Sequence, residues 1–127
     1  MTASPIYFTT PVAGLGQVSA ANTGRDGSGT LVDILTGATA GTKIEEVRIK
    51  ATVSTTGGMV RLFIYDGSSV TRLFDEVPIA AATVSATVEA DETVVFYDNL
   101  VLPNGYILRA ATHNAEAINV IAIGASA

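Results

Sequence analysis

Strict alternation of apolar and polar residues is the clearest hydropathy signal in the chain, and it is strongest in KIEEVRIKATV, residues 43–53. Val47, Ile49, Ala51 and Val53 fall on one side of an extended backbone, and Glu46, Arg48, Lys50 and Thr52 on the other. Successive side chains of a strand point to opposite faces, so this spacing predicts a strand with one buried and one wet face. TLVDIL (30–35), MVRLFIYD (59–66), VTRLFDEVPI (70–79), TVVFYDNLVLP (93–103), YILRAAT (106–112) and AINVIAIG (117–124) read as further strands, with QVSAAN (17–22) a weaker one. Clusters of Gly, Ser, Thr and Asp, such as GRDGSG (24–29), TGATAGT (36–42) and STTGG (54–58), separate them as turns. The short GSS link at 67–69 predicts a hairpin between its flanking strands. Asn104-Gly105 predicts a second hairpin, since both residue types tolerate positive φ. No sustained apolar pattern of helical period appears. The expectation is an all-β chain of about eight or nine short strands, a single antiparallel β-sandwich of jelly-roll type. Strand order is not encoded in the alternation, so an immunoglobulin-like sandwich stays open.

Two stretches depart from this pattern. Residues 1–16 interleave Pro5, Pro11, Gly14 and Gly16 with Ile6, Tyr7 and Phe8. Proline blocks ladder bonding and glycine weakens strands, which predicts an extended N-terminal arm over 1–16 ahead of a sandwich domain over 17–127. The second departure is the strand at 59–66, which is oily on both faces: Val60, Leu62 and Ile64 on one, and Met59, Arg61, Phe63 and Tyr65 on the other. A strand in a sandwich buries one face against its partner sheet, so something else must cover the second. Its own loops or arm could do so, or a neighbouring subunit. Phe63 and Tyr65 would each remove on the order of 150–250 Å² from water. On the subunit reading the interface residues are Ile6, Tyr7, Phe8, Phe63 and Tyr65, with Arg61 paired to an acid across the same contact.

Composition narrows the classes. With 127 residues, 48% hydrophobic and 15% charged, the chain can bury one sizeable core and is not generally disordered. No apolar run approaches the roughly 20 residues of a membrane span, and MTASPIYFTTPVAGLGQ lacks the basic and apolar regions of a secretory signal. Cytosolic synthesis is therefore expected. The absence of cysteine excludes disulfides, thiolate metal sites and a cysteine nucleophile. The net charge is −5 and the seven basic residues are scattered, so no direct nucleic-acid platform is expected.

Candidate chemistry is thin. His113, in ATHNAEA, is the only histidine, and no G-x-S-x-G elbow accompanies it; it reads as a polar hairpin-turn residue. Carboxylates cluster at Asp75/Glu76 and at Glu89/Asp91/Glu92, but without the spacing of a calcium loop. GRDGSG lacks the Lys-Ser/Thr ending and following helix of a phosphate loop and reads as a flexible turn, with Arg25 and Asp26 at its tip. The expectation is a non-enzymatic protein with no cofactor and no metal.

ANTGRDGSGTLVDILTGATAGTKIEEVRIKATVSTTGGMVRLFIYDG, followed by LVLPNGYILRAAT and INVIAIG, resembles small all-β structural proteins encoded by tailed bacteriophages and prophages. The resemblance spans roughly residues 17–124. It implies a capsid decoration, or cement, protein. Such a protein is made in the host cytoplasm and sits on the outer capsid surface of the virion, as a homo-oligomer, often a trimer. It binds the major capsid protein and bridges capsomers, with no membrane partner. The alternative is a head-fibre or tail-associated β-domain that recognises a host glycan or receptor, for which Tyr97 and Tyr106 are the candidate contacts. The resemblance supplies no active-site residues.

Overall fold

Alternating sequence becomes eight antiparallel strands in a computed structural model that describes residues 7–127: β1 (Thr10–Val18), β2 (Val32–Thr36), β3 (Thr42–Ala51), β4 (Thr55–Tyr65), β5 (Thr71–Ala82), β6 (Glu92–Leu102), β7 (Ile107–Thr112) and β8 (Ile118–Ser126). They form two four-stranded sheets, β1-β8-β3-β6 at the front and β2-β7-β4-β5 at the back. The inward faces meet in one core that includes Ile44, Val47, Ile49, Val60, Leu62, Leu108, Ile118 and Val120. The chain is therefore an antiparallel β-sandwich, as the alternation predicts.

Every connection passes from one sheet to the other except β4–β5, the hairpin expected around Gly67. Asp66 builds that turn by accepting the backbone N–H groups of Ser68, Ser69 and Val70 at 2.9, 2.9 and 3.1 Å. The second expected hairpin does not form. Asn104-Gly105 turns the chain from front strand β6 into back strand β7, and only Gly105 takes positive φ, at 81°. Tyr106 N–H donates to Pro103 O at 3.1 Å, closing a turn of the type II pattern, which lacks the twist of a tight hairpin. His113 likewise lies in a crossing between sheets, from β7 to β8.

The expected arm divides. Ile6 and the residues before it lie outside the described residues. Thr10–Val18, most of it assigned to the arm from its prolines and glycines, is edge strand β1, paired with β8 from Thr10↔Ser126 to Val18↔Ile118. An edge position tolerates Pro11, whose missing N–H leaves no gap inside the sheet. Gly14 and Gly16 are needed because β2 crosses closely behind them: a Cβ on Gly14 would collide with the Ile34 carbonyl, and one on Gly16 with the Ile34 side chain. The Gly57-Gly58 pair, expected as part of a turn, lies inside β4.

Bulges re-phase β2, β3 and β5, and β6 takes two residues more than β3 between Phe96 and Leu100. Register slips between Ile44 and Glu46 in β3, between Asp33 and Leu35 in β2, and opposite Leu62/Phe63, where Phe74 is the extra residue in β5. Through the first of these, Ile44 and Val47 both face the core although three residues apart.

Candidate functional site

The oily outer face of β4 is covered by its own chain. Phe63 and Arg61 are buried, 0% and 3% exposed, yet neither belongs to the core between the sheets. The cover is the β1–β2 connection, residues 19–31. It is tied to β7 by an Ala21↔Thr112 bridge and by Asn22 N–H donating to Thr112 O at 2.8 Å. It then runs over the outside of the back sheet to β5, where Gly27 lies against Thr71 and Arg25 pairs with Glu76. The Asn22 amide holds the loop's shape, donating to Ser28 O and Thr30 O at 2.9 and 3.0 Å while accepting from Gly24 N–H at 3.1 Å. GRDGSG, expected to be a flexible turn, is therefore the tip of a strap.

Beneath the strap, Arg61 is fixed from two sides. Its Nε donates to Glu76 Oε1 at 3.1 Å, and its Nη1 donates to His113 Nδ1 at 3.2 Å, so that His113 nitrogen acts as the acceptor. Tyr65 is half-buried; the Arg109 guanidinium sits 3.9 Å from its ring centre, and its hydroxyl donates to Ser68 O at 2.9 Å. Arg109 in turn binds Asp33 at 2.7 Å. Of the expected interface residues, Phe63 and Arg61 are buried and Tyr65 half-buried within the single chain, and Arg61, expected to pair with an acid across a subunit contact, has the chain's own Glu76 beside it.

The carboxylates of these turns and ties are held below their ordinary ranges. Hydrogen bonding to Arg25, reinforced by Arg61, lowers Glu76. The N–H groups of Val70, Ser68 and Ser69 lower Asp66, and Ser28 lowers Asp26. In the unfolded chain such groups titrate near pH 4, so the unfolded state takes up protons first as pH falls. Their contribution to stability is complete above that range and lost as pH drops through the lower, folded-state values. The urea unfolding midpoint is expected to be level from neutrality to about pH 5 and to fall below about pH 4. A midpoint that rises on acidification would contradict this.

The other candidates also have structural roles. Tyr97 donates to Asp75 Oδ2 at 2.7 Å, and its ring lies 5.3 Å from that of Phe74. Burial, with Asp75 beside it, raises the Tyr97 hydroxyl well above the usual phenol range. Tyr97 and Tyr106 are both partly buried and packed against the core. Near the Glu89/Asp91/Glu92 cluster, Lys50 Nζ donates to Ala90 O at 2.9 Å and lies 3.8 Å from Glu92 and 3.9 Å from Glu89. Among the described residues no group of three or more His, Asp or Glu side chains is arranged to hold a metal ion.

What remains uncovered is the outer face of the front sheet. Pairing register sets Leu15, Ile121, Arg48 and Val94 in one row across it, and Ala13, Ile123, Glu46 and Phe96 in the next. Leu15 and Phe96 are each 73% exposed, the largest values among the described large apolar residues. The apolar positions form two lanes, one on β1 and β8 and one on β6. Between them runs β3, where Arg48 and Glu46 pair at 3.0 Å. At the rim, Gln17 donates to Asn119 at 2.9 Å. Residues 7 and 8 of the expected arm differ: Tyr7 is 69% exposed and Phe8 half-buried, with its ring near Gly41. The front-sheet face is not visible in the sequence reading, in which residues 1–16 form an arm and Phe96 belongs to the 93–103 strand with no face assigned to it.

No family model matches this chain, and no curated protein matches it either. Solved structures similar to it include two of a pentameric capsid protein isolated from metagenomic phage sequences. The first is 16% identical over 80% of this chain and 73% of its own, with a TM-score of 0.32. The second is 18% identical over 84% and 69%, with a TM-score of 0.33. Likeness at this level assigns no function to the chain.

Proposed function

We propose that this chain is a non-enzymatic structural protein of a tailed-phage particle: a decoration subunit on the outer capsid surface that self-associates and binds the major capsid protein. The observation that carries the reading is the front sheet's outer face, where Leu15 and Phe96 hold apolar surface in water at a cost that only association removes. The resemblance of the strand-and-turn pattern to small phage structural proteins supports the particle. The strand order, with β4–β5 the only connection within a sheet, supports a sandwich of jelly-roll type. The function is binding alone: many modest contacts repeated around a shell add through high effective concentration. In this reading the contacts to the shell are the expected Ile6, Tyr7 and Phe8, of which Tyr7 is exposed.

Co-sedimentation with capsids lacking this protein tests the role. Removing residues 1–8 leaves all eight strands in place, so the truncated protein should fold and melt like the full chain while its capsid binding falls by about tenfold or more, as loss of an aromatic anchor does at interfaces. Undiminished binding by the truncated protein would refute the role of that segment. Failure of the full chain to bind any such shell would refute the decoration role itself.

A further inference from the structure

We infer that the partner on the front sheet's outer face is a second copy of the same chain, stacked face to face about a two-fold axis that runs across the strands between the rows of Glu46 and Arg48. The inference rests on reading this face as an assembly surface, but not on the phage particle.

The pattern of the face supplies the reason. A two-fold in that position lays each central row on the other row of its partner. Glu46 then meets Arg48 of the second copy, and Arg48 meets its Glu46, so the charged lane is complementary to itself. On one side Phe96 meets Val94 of the copy; on the other, Ile123 meets Ile121. In these two central rows apolar lanes therefore fall on apolar lanes; in the rows beyond, Glu92 falls on Val101 of the copy. An axis parallel to the strands would instead put Glu46 on Glu46 and Arg48 on Arg48.

The rows beyond form a rim: Gln17, Asn119, Lys50 and Glu92 make one polar row, and Pro11, Ala125 and Val101 flank Lys43 in the other. Lys50 would approach Lys43 of the copy, but its ammonium is already turned to Ala90 O and Glu92 of its own chain. Stacked sheets also cross at about 30°, which parts the outer rows and admits water there. Four strands about 4.8 Å apart, over seven residues of about 3.4 Å rise, give a face of about 19 by 24 Å. Two such faces bury about 900 Å² in total, which is in the range of weak, transient interfaces. The dimer should therefore be reversible and of micromolar strength.

This arrangement differs from the trimer that the resemblance implies. A three-fold ring joins two different patches on each subunit, whereas a patch complementary to itself makes an isologous two-fold contact.

Sedimentation velocity on the isolated protein at about 100 μM, well above a micromolar dissociation constant, decides the matter. Wild type should run as a dimer. Glu46→Arg and Arg48→Glu each set like charges face to face, and each alone should weaken association by at least about tenfold. Both side chains are on the outer face of the sheet, Arg48 half-exposed and Glu46 partly buried, so circular dichroism should match wild type and melting should stay close to it. Mixed in equal amounts, the two variants bring opposite charges together across the axis and should form a dimer again. That recovery cannot come from the pair within each chain, which remains like-charged in both variants. A monomeric wild type, a trimer or pentamer, a dimer indifferent to both substitutions, or a mixture that stays monomeric would each overturn the two-fold. Shell binding by a wild-type monomer would overturn only the two-fold, while a dimer that binds no shell would overturn only the decoration role.

Discussion

Phe63→Ala is expected to destabilise the fold by about 3–5 kcal/mol, the range for deleting a buried aromatic side chain. Phe63 is fully buried in the single chain, on the outer face of the back sheet that the strap over residues 19–31 crosses. Truncation removes the surface on which the strap rests and leaves a cavity roofed by polar loop. The strap cannot collapse into that cavity without breaking its ties, because Asn22 holds its inner turn and Arg25 its far end. The loss should appear as a large drop in urea midpoint at every protein concentration. If Phe63 were instead a subunit contact, the substitution would change the association constant and leave the unfolding of the monomer nearly untouched.

Gly124→Ala should cost about 3 kcal/mol, the upper part of the range for forcing added volume into a packed interior. A Cβ on Gly124 would collide with the Lys43 carbonyl and lie 2.9 Å from Ile44 Cα, both backbone atoms of β3. Strand β8 is held between β1 and β3, so it cannot shift away from one neighbour without straining the other. The same substitution at an exposed strand glycine would be near neutral. A melting temperature equal to wild type for Gly124→Ala would show that β3 and β8 are not apposed as described at the bulge.

These two positions mark how much of the molecule the sequence discloses. Alternation in 43–53 gives Val47, Ile49 and Ala51 as buried, because one face of β3 is wet and the other dry, but Val53, expected on the same face, lies past the end of β3 and is exposed. It also gives the faces of β4: Val60 and Leu62 go inward, and Arg61, Phe63 and Tyr65 outward. It does not give what lies over the outward face, because the strap is a Gly-, Ser- and Asp-rich segment whose hold comes from specific hydrogen bonds rather than from hydropathy. Asn104-Gly105 shows the limit of turn chemistry: the residues predict a change of direction, but whether the next strand pairs in the same sheet depends on contacts far away in sequence. Strand β1 was hidden by its own requirements. Pro11 is allowed there because the strand is at an edge, and Gly14 and Gly16 are required because β2 passes behind it.

The candidate surface was illegible for the same reason. Leu15 and Phe96 are far apart in the chain and are brought onto one face only by the order β1-β8-β3-β6. The expected interface at Phe63 and Tyr65 rested on sound logic, since an oily outer face demands a cover; the cover is supplied in cis. The face without one is at the front, flanking a strand whose charges look like ordinary solvated positions.

The absence of cysteine from the chain permits a direct measurement on this surface. A single Leu15→Cys substitution, read by the rate of reaction with a soluble maleimide, reports whether the front sheet is covered, with Ser69→Cys on the exposed β4–β5 turn as the reference. The account predicts that position 15 reacts at the reference rate in dilute protein and at least about tenfold more slowly once the protein is concentrated above a micromolar dissociation constant, with position 69 unchanged. Equal reactivity of the two positions at every concentration, with and without capsids, would contradict it.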